Sequence, residues 1–330
     1  MHYRTLGKTG MKVSEISFGA WAIGGTSEAA GEQWGWGETP ERDALAALEK
    51  ARALGVNFFD TADVYGDGRS EEVLGKAFGG KWDGVPGRSA VMVASKVGNV
   101  VRGGVGMKDW SREHITRSCE QSLKRLKKDV IELYQLHNPA EEDIRKGDWP
   151  ETMELLVQQG KIRWYGVSVF LPEEAMAVLE RGAGATIQLA YNALRQEMAP
   201  DVLPLAQKKD FGIIARVPLY YGVLTGKYSA DTKFATDDHR SHTLPPETMR
   251  ELAPRVAKLR SLAGGEKDMA GEANLGSWAL RFAISHDAIS CAIPGGRNPQ
   301  QVERNCAASD KGRLSEEQVA AAHQWWAQDK

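Results

Sequence analysis

Long apolar runs are missing from this chain. None of its stretches approaches the roughly 20 residues that a membrane-spanning helix needs. The opening residues, Met1-His2-Tyr3-Arg4-Thr5-Leu6-Gly7-Lys8, hold no hydrophobic core of a secretory signal, so a cytoplasmic protein is expected. Cysteine is scarce: Cys119, Cys291 and Cys306 are too far apart for a close-spaced metal motif. They read as small buried apolar residues in a reducing compartment, with no metal expected. Charge of one sign is also lacking. The formal net charge of −2 gives no basic field for nucleic acid, so the expected partner is a small molecule. Nothing in the sequence sets an oligomeric state.

What is present is a rhythm. Residues 3–14 read as a β-hairpin around Gly7-Lys8-Thr9-Gly10. Eight strand-like runs then follow at 16–19, 56–60, 91–96, 130–137, 163–168, 185–191, 211–216 and 288–293. Helical patterns separate them. Thr39 and Ser70 are expected to cap the first two, with Pro40 at the first helical position and Gly55 ending the first. Ser111 caps the third. Further helices are expected at 150–159, 172–179, 201–209, 275–285 and 299–305, and a last one carries Val319, Ala322 and Trp325. A Gly- and Trp-rich loop fills 21–38, and a polar, irregular insert fills about 222–245 after the seventh strand.

Alternating strands and helices imply a parallel sheet. Eight units without a break in composition favour a closed (β/α)₈ TIM barrel, with residues 1–330 as one domain. The competing open sheet carries Gly-x-Gly-x-x-Gly after its first strand; Gly24-Gly25 has the wrong spacing and no helix directly after it.

In a barrel, all strand ends meet at one mouth. Asp60, Lys96 and His137 end the second, third and fourth runs, and Tyr65 follows in the second turn. Singly, each has an ordinary explanation: a turn cap, an aromatic cover, a solvated charge, a hydrogen-bonded imidazole. Together they form a proton-transfer set. A phenol with an ordinary pKa near 10 needs a neighbouring ammonium to lower it. A carboxylate holds the ammonium in place, and an imidazole can orient a carbonyl oxygen.

The sequence resembles the aldo-keto reductases over essentially its whole length. The match rests on Asp60-Thr61-Ala62 with Tyr65-Gly66, Ser95-Lys96, Gln135-Leu136-His137-Asn138-Pro139, Gly166-Val167-Ser168, Leu224-Thr225-Gly226-Lys227-Tyr228 and Ile293-Pro294-Gly295. The resemblance implies a TIM barrel that reduces aldehydes or ketones with NADPH, reversibly, with Asp60, Tyr65, Lys96 and His137 as the catalytic tetrad and Tyr65 as general acid. It implies Ser168 and Gln188 on the nicotinamide carboxamide and Asp60 near the ribose. It adds Ala20, Trp21, Arg216, Leu219, Gly222, Leu224, Gly226 and Lys227 to the cofactor's contacts. Gly295, Arg297, Gln301 and Asn305 would hold the adenosine end, with Arg297 suited to the 2′-phosphate of NADP. The helix start after Gly295-Gly296 is by itself a ready anion site.

The sequence departs from the family pattern at Val169, where asparagine is common, and at Arg216, where an aromatic ring is common. Arg216 either stacks as a planar cation or pairs with a carboxylate outside the site. Arg304 replaces an acidic residue often found before Asn305. Residues 231–242 are expected to order over the cofactor. Two of Trp21, Trp34 and Trp36 are expected to face the mouth and, with Tyr65 and His137, to meet substrate. No lysine or arginine cluster marks an anionic-substrate site. Two other readings stay open: an NADP(H)-binding regulatory subunit, which the intact tetrad and the lack of an N-terminal extension disfavour, and a phosphate-ester barrel enzyme that binds no NADPH.

Overall fold

Short runs of Val, Ile, Leu and Phe, buried on both faces, leave only one arrangement: a parallel sheet covered outside by helices and filled inside by side chains. The computed structural model describes residues 1–29, 32–79, 90–102, 105–264 and 274–329. Its barrel strands are β1 (Phe18–Gly19), β2 (Phe58–Asp60), β3 (Met92–Val97), β4 (Ile131–His137), β5 (Ile162–Ser168), β6 (Thr186–Ala190), β7 (Gly212–Arg216) and β8 (Ile289–Ala292). They pair in sequential order, all in parallel. Parallel bridges Ile16↔Ala292 and Gly19↔Gly295 join the two ends of the sheet. The Gly19 amide donates to Pro294 O (3.1 Å) there. This is the expected (β/α)₈ barrel.

The register sets the site. Gly19 pairs with Asp60, Gln135 with Lys96, His137 with Ser168 and Ser168 with Gln188. The carboxyl ends of β1 to β6 therefore stand at one rim. The opposite end is plugged by the N-terminal hairpin, Tyr3–Thr5 paired with Lys12–Ser14. Leu6 and Val13 pack inside with Phe58, Ala94, Leu133, Ile214 and Cys291. The plug sits close: a Cβ on Gly7, already at φ 47°, would lie 2.2 Å from Gly212 N. All three cysteines are buried and unpaired.

Several expected details differ. β1 is shorter than 16–19, because Ile16 and Ser17 bond to β8 instead. Thr39 and Ser70 are not caps. The first helix is Glu41–Ala53, and Thr39 Oγ1 donates to Ala22 O (3.0 Å). The second is Arg69–Phe78, capped by Gly68; Ser70 Oγ donates to Ala20 O (2.9 Å) and accepts from Thr61. Both hydroxyls tie the first loop to the barrel instead of serving their own helices. Ser111 and Asn298 do cap, accepting from His114 N and Gln301 N. Two hairpins were not foreseen: Thr26–Ala29 with Glu32–Gly35, and Asn99–Arg102 with Val105–Lys108. No helix among the described residues is long and apolar enough to cross a membrane.

Candidate active site

Lys96 is the hub. Its aliphatic stem lies inside the barrel, so its ammonium reaches the rim from below and is fully buried. Nζ donates to Asp60 Oδ2 (2.7 Å), Thr61 O (2.8 Å) and Tyr65 Oη (3.2 Å). All three ammonium protons are thereby placed. The other Asp60 oxygen accepts from Gln188 Nε2 (2.6 Å). Gln188 Oε1 in turn accepts from Ser168 Oγ (3.4 Å). Asp60 is thus fixed from two sides, and through it Lys96 is aimed at the phenol.

Burial works against charge on Lys96, but Asp60 and Tyr65 outweigh it and raise the lysine pKa. Burial also raises the Tyr65 pKa, more than Lys96 lowers it. The expected net lowering is therefore reversed: among these groups alone, Tyr65 holds its proton more firmly than a free phenol. His137 stands edge-on to Tyr65, with ring centroids 5.7 Å apart. Burial, then Lys96, Lys108 and Arg216, push its pKa well down, so the ring is neutral at ordinary pH. Trp21 stacks on the other side of Tyr65 at 5.8 Å.

Above this cluster lies a cleft of about 970 Å³. Its lining includes Trp21, Trp34, Trp36, Asp60, Tyr65, His137, Gln188 and Arg216. It continues past Leu219, Gly222 and Lys227 to Gly295, Arg297, Gln301, Arg304 and Asn305. All three tryptophans face it, one more than expected. Ala20 and Leu224 do not line it: both are fully buried. Ser168 sits one layer beneath, and the Gly226 carbonyl caps a turn by accepting from Arg260 (2.5 Å).

At the far end, the strand-to-helix turn is tightly bonded. Arg297 N donates to Gln301 Oε1 (2.9 Å), and Asn305 Nδ2 donates to Gly295 O (3.0 Å). Arg297 Nη1 also reaches Trp36 O (2.7 Å). Gln301 and Asn305 thus brace the turn, and Lys227, with its ammonium 4.8 Å from the Tyr228 ring, lines the cleft. The cleft's length, its cations at one end and its proton-transfer set at the other suit an elongated anionic cofactor. His137 Nδ1, Arg216 Nε and Trp36 Nε1 are buried polar atoms without a partner among the described residues, all on residues lining the cleft. Such atoms mark places where a bound molecule completes the hydrogen bonding.

Sequence reasoning missed two contributors. Part of the insert after β7 is packed: Asp238, His239 and Arg240 are buried, while Asp231, Lys233, Ala235, Thr236 and Asp237 are exposed. His239 lies 4.4 Å from the Trp21 ring and 4.7 Å from Trp36, and His239 N donates to Gly35 O (2.9 Å). Arg240 pairs with Asp238 and lies 4.6 Å over Trp36. Sequence distance hid this strap, since a histidine in a polar insert gives no signal of its partner some 200 residues earlier. Lys108, on the unforeseen hairpin, donates to His137 O (2.8 Å) and to Asn99 Oδ1. Arg216 Nη2 donates to Val169 O (3.0 Å), and its guanidinium lies 4.3 Å over the Phe170 ring.

Comparison with known proteins agrees with this geometry. The model of the Aldo/keto reductase family matches residues 15–327. Aldo-keto reductase YhdN of Bacillus subtilis is 33% identical over 307 residues, covering 92% of this chain and 87% of its own. A probable voltage-gated potassium channel subunit beta of Oryza sativa is 31% identical, covering 94% of this chain and 92% of its own. An aldo-keto reductase from Klebsiella pneumoniae, solved in complex with NADPH, superposes with a TM-score of 0.68 at 25% identity. That match covers 99% of this chain and 95% of that one. The chain belongs to the aldo/keto reductase family of NAD(P)-dependent oxidoreductases.

Proposed function

We propose that the protein reduces an aldehyde or ketone to the alcohol with NADPH, and that Tyr65 is the general acid. The observation that carries this is the buried Asp60–Lys96–Tyr65 relay, with Lys96 Nζ 2.7 Å from the carboxylate and 3.2 Å from the phenol. When bound, NADPH supplies the hydride for the carbonyl carbon. Tyr65 Oη–H points into the cleft and donates its proton to the carbonyl oxygen. Lys96 stabilises the phenolate left behind, and Asp60 keeps Lys96 charged. Neutral His137 gives a second hydrogen bond to the same oxygen, which favours a carbonyl that is gaining negative charge. Solvent returns a proton to Tyr65 after release.

Ser168 and Gln188 are assigned to the carboxamide, Lys227 and Arg297 to the phosphates. Trp21, Trp34 and Trp36 are assigned to the substrate. Tyr65→Phe removes the proton and keeps the ring. Its expected effect is a fall of about 10²–10⁴-fold in kcat, the usual worth of general acid–base catalysis, with NADPH affinity nearly unchanged. NADPH oxidation with simple aldehydes, and quenching of tryptophan fluorescence by NADPH, measure the two. Lost affinity with normal turnover would overturn the role given to Tyr65.

The channel-subunit relative favours one other reading, a non-catalytic NADP(H)-binding regulatory subunit. That reading predicts NADPH binding without turnover on any aldehyde or ketone.

A further inference from the structure

Lys108 and Arg216 line the cleft together with His137, and Lys96 lies beneath it. Lys96, Lys108 and Arg216 all act on the His137 imidazole. Lys96 is neutralised by Asp60. The other two have no carboxylate within ion-pair distance among the described residues. Lys108 Nζ bonds only to neutral oxygens, His137 O (2.8 Å) and Asn99 Oδ1. Glu174, Asp143 and Asp63 act on it from beyond bonding range. Arg216 donates to one backbone carbonyl, Val169 O (3.0 Å), and its buried Nε has no partner among the described residues. An ammonium has three protons to give and a guanidinium five. Donors are therefore left over on both side chains. With His137 neutral, the local charge is close to +2 by this count.

The backbone holds Arg216 there. The chain leaves β7 through Val217 at φ 45°, a left-handed conformation that a β-branched residue rarely adopts. Asn192 Nδ2 bonds the Val217 carbonyl (2.9 Å) and stabilises that turn. Lys108 is set by its own hairpin, where it pairs with Asn99. This end of the cleft mixes Asp67, Asn99 and Asn138 with large apolar side chains in its lining. Trp34, Val105, Met107 and Phe170 line it while each remains more than 40% exposed. A rim of exposed large apolar residues marks a binding surface rather than a solvated edge.

Resting on the reductase reading above, we propose that the carbonyl substrate carries an anionic group on an apolar body, and that Lys108 and Arg216 receive that group beside His137. The cofactor's phosphates do not compete for these cations in that reading, because Lys227 and Arg297 serve them in the segment after β7 and the turn after β8. The anion fills the donors left free on both side chains. The apolar body lies against Val105, Met107 and Phe170. Lys108 and Arg216 are then specificity residues.

The test uses the intact enzyme at pH 7 with saturating NADPH and two aldehydes that differ in charge, 4-formylbenzoate and its methyl ester. The expected kcat/KM is at least tenfold higher for the carboxylate, with the difference mainly in KM. Lys108→Gln and Arg216→Gln are each expected to shrink that ratio severalfold, and Lys108→Arg to keep it. Lys108 is exposed at the mouth, so its variants fold even if the Arg216 change does not. Equal use of the two aldehydes, or a ratio that survives both neutral substitutions, overturns the proposal. An enzyme that binds NADPH but turns over neither aldehyde, nor any uncharged one, overturns the reductase reading and the proposal with it. Turnover of uncharged aldehydes with no preference for the carboxylate overturns the proposal alone.

Discussion

In the proposed mechanism, Tyr65 acts only while it holds a proton, and Lys96 only while it is charged. Burial raises the phenol's pKa, while Asp60 and the phenol raise the lysine's, so both groups stay in their working forms through neutral pH. Asp60→Asn would leave the Lys96 ammonium buried without its counter-ion. Breaking one side of such a pair costs about 3–5 kcal/mol, so the urea midpoint of the variant is expected to fall clearly. An unchanged midpoint would show that Lys96 finds another partner or deprotonates. Lys108 behaves differently. The residue as a whole is exposed, but its ammonium is partly desolvated against His137 O; this, partly offset by Glu174, Asp143 and Asp63, brings its pKa down to about 8. Its charge is present below that pH and lost above it. The preference for a carboxylate-bearing aldehyde is therefore expected to fade as pH rises through about 8, and Lys108→Arg to remove the fading. A ratio that stays flat from pH 7 to 9.5 in the wild type would contradict this.

The barrel elements were legible because their physics is local. Each strand is a short apolar run buried on both faces, each helix between them is amphipathic, and the polar residue that ends a run marks the rim. That Asp60, Lys96 and His137 stand together at the rim was legible for the same reason, since they end or nearly end their strands. Elements built on the rim were not. The hairpins Thr26–Ala29/Glu32–Gly35 and Asn99–Arg102/Val105–Lys108 show no clear apolar–polar alternation, so they carried no strand signal. Thr39 and Ser70 carried a cap signal, yet tertiary bonds to Ala22 and Ala20 took their hydroxyls. The strap through His239 depends on Trp21 and Trp36, which no local pattern can reveal. The N-terminal hairpin was seen, but its task as a barrel plug was not. That task gives a prediction. Leu6 is fully buried among interior strand residues, so Leu6→Ala is expected to cost about 2–5 kcal/mol in urea unfolding. A loss below about 1 kcal/mol would mean that the plug adds little.

Across the whole molecule, the candidate site occupies one rim, and the plugged end has its own polar network of Arg4, Glu15, Asn57 and Ser309, all but Arg4 buried. Four histidines, His137 and His239 buried and His286 and His323 half-buried, tie the fold to pH. His137, His239, His286 and His323 all have pKa values lowered by burial. In the unfolded chain they take up protons as pH falls through about 6.5, while in the fold they resist. Their contribution to stability is thus intact above that pH and is lost as pH falls toward their folded values. Asp63, whose pKa burial raises, works in the opposite direction. The urea midpoint is expected to be lower at pH 5 than at pH 7; equal midpoints would contradict it. The account as a whole depends on an ammonium that readies a phenol for proton transfer inside this rim. The most direct measurement is single-turnover reduction by Lys96→Met, paired with its NADPH affinity. The predicted result is a reduction rate at least a hundredfold slower with affinity within a few-fold of the wild type. A wild-type rate in that variant would contradict the account.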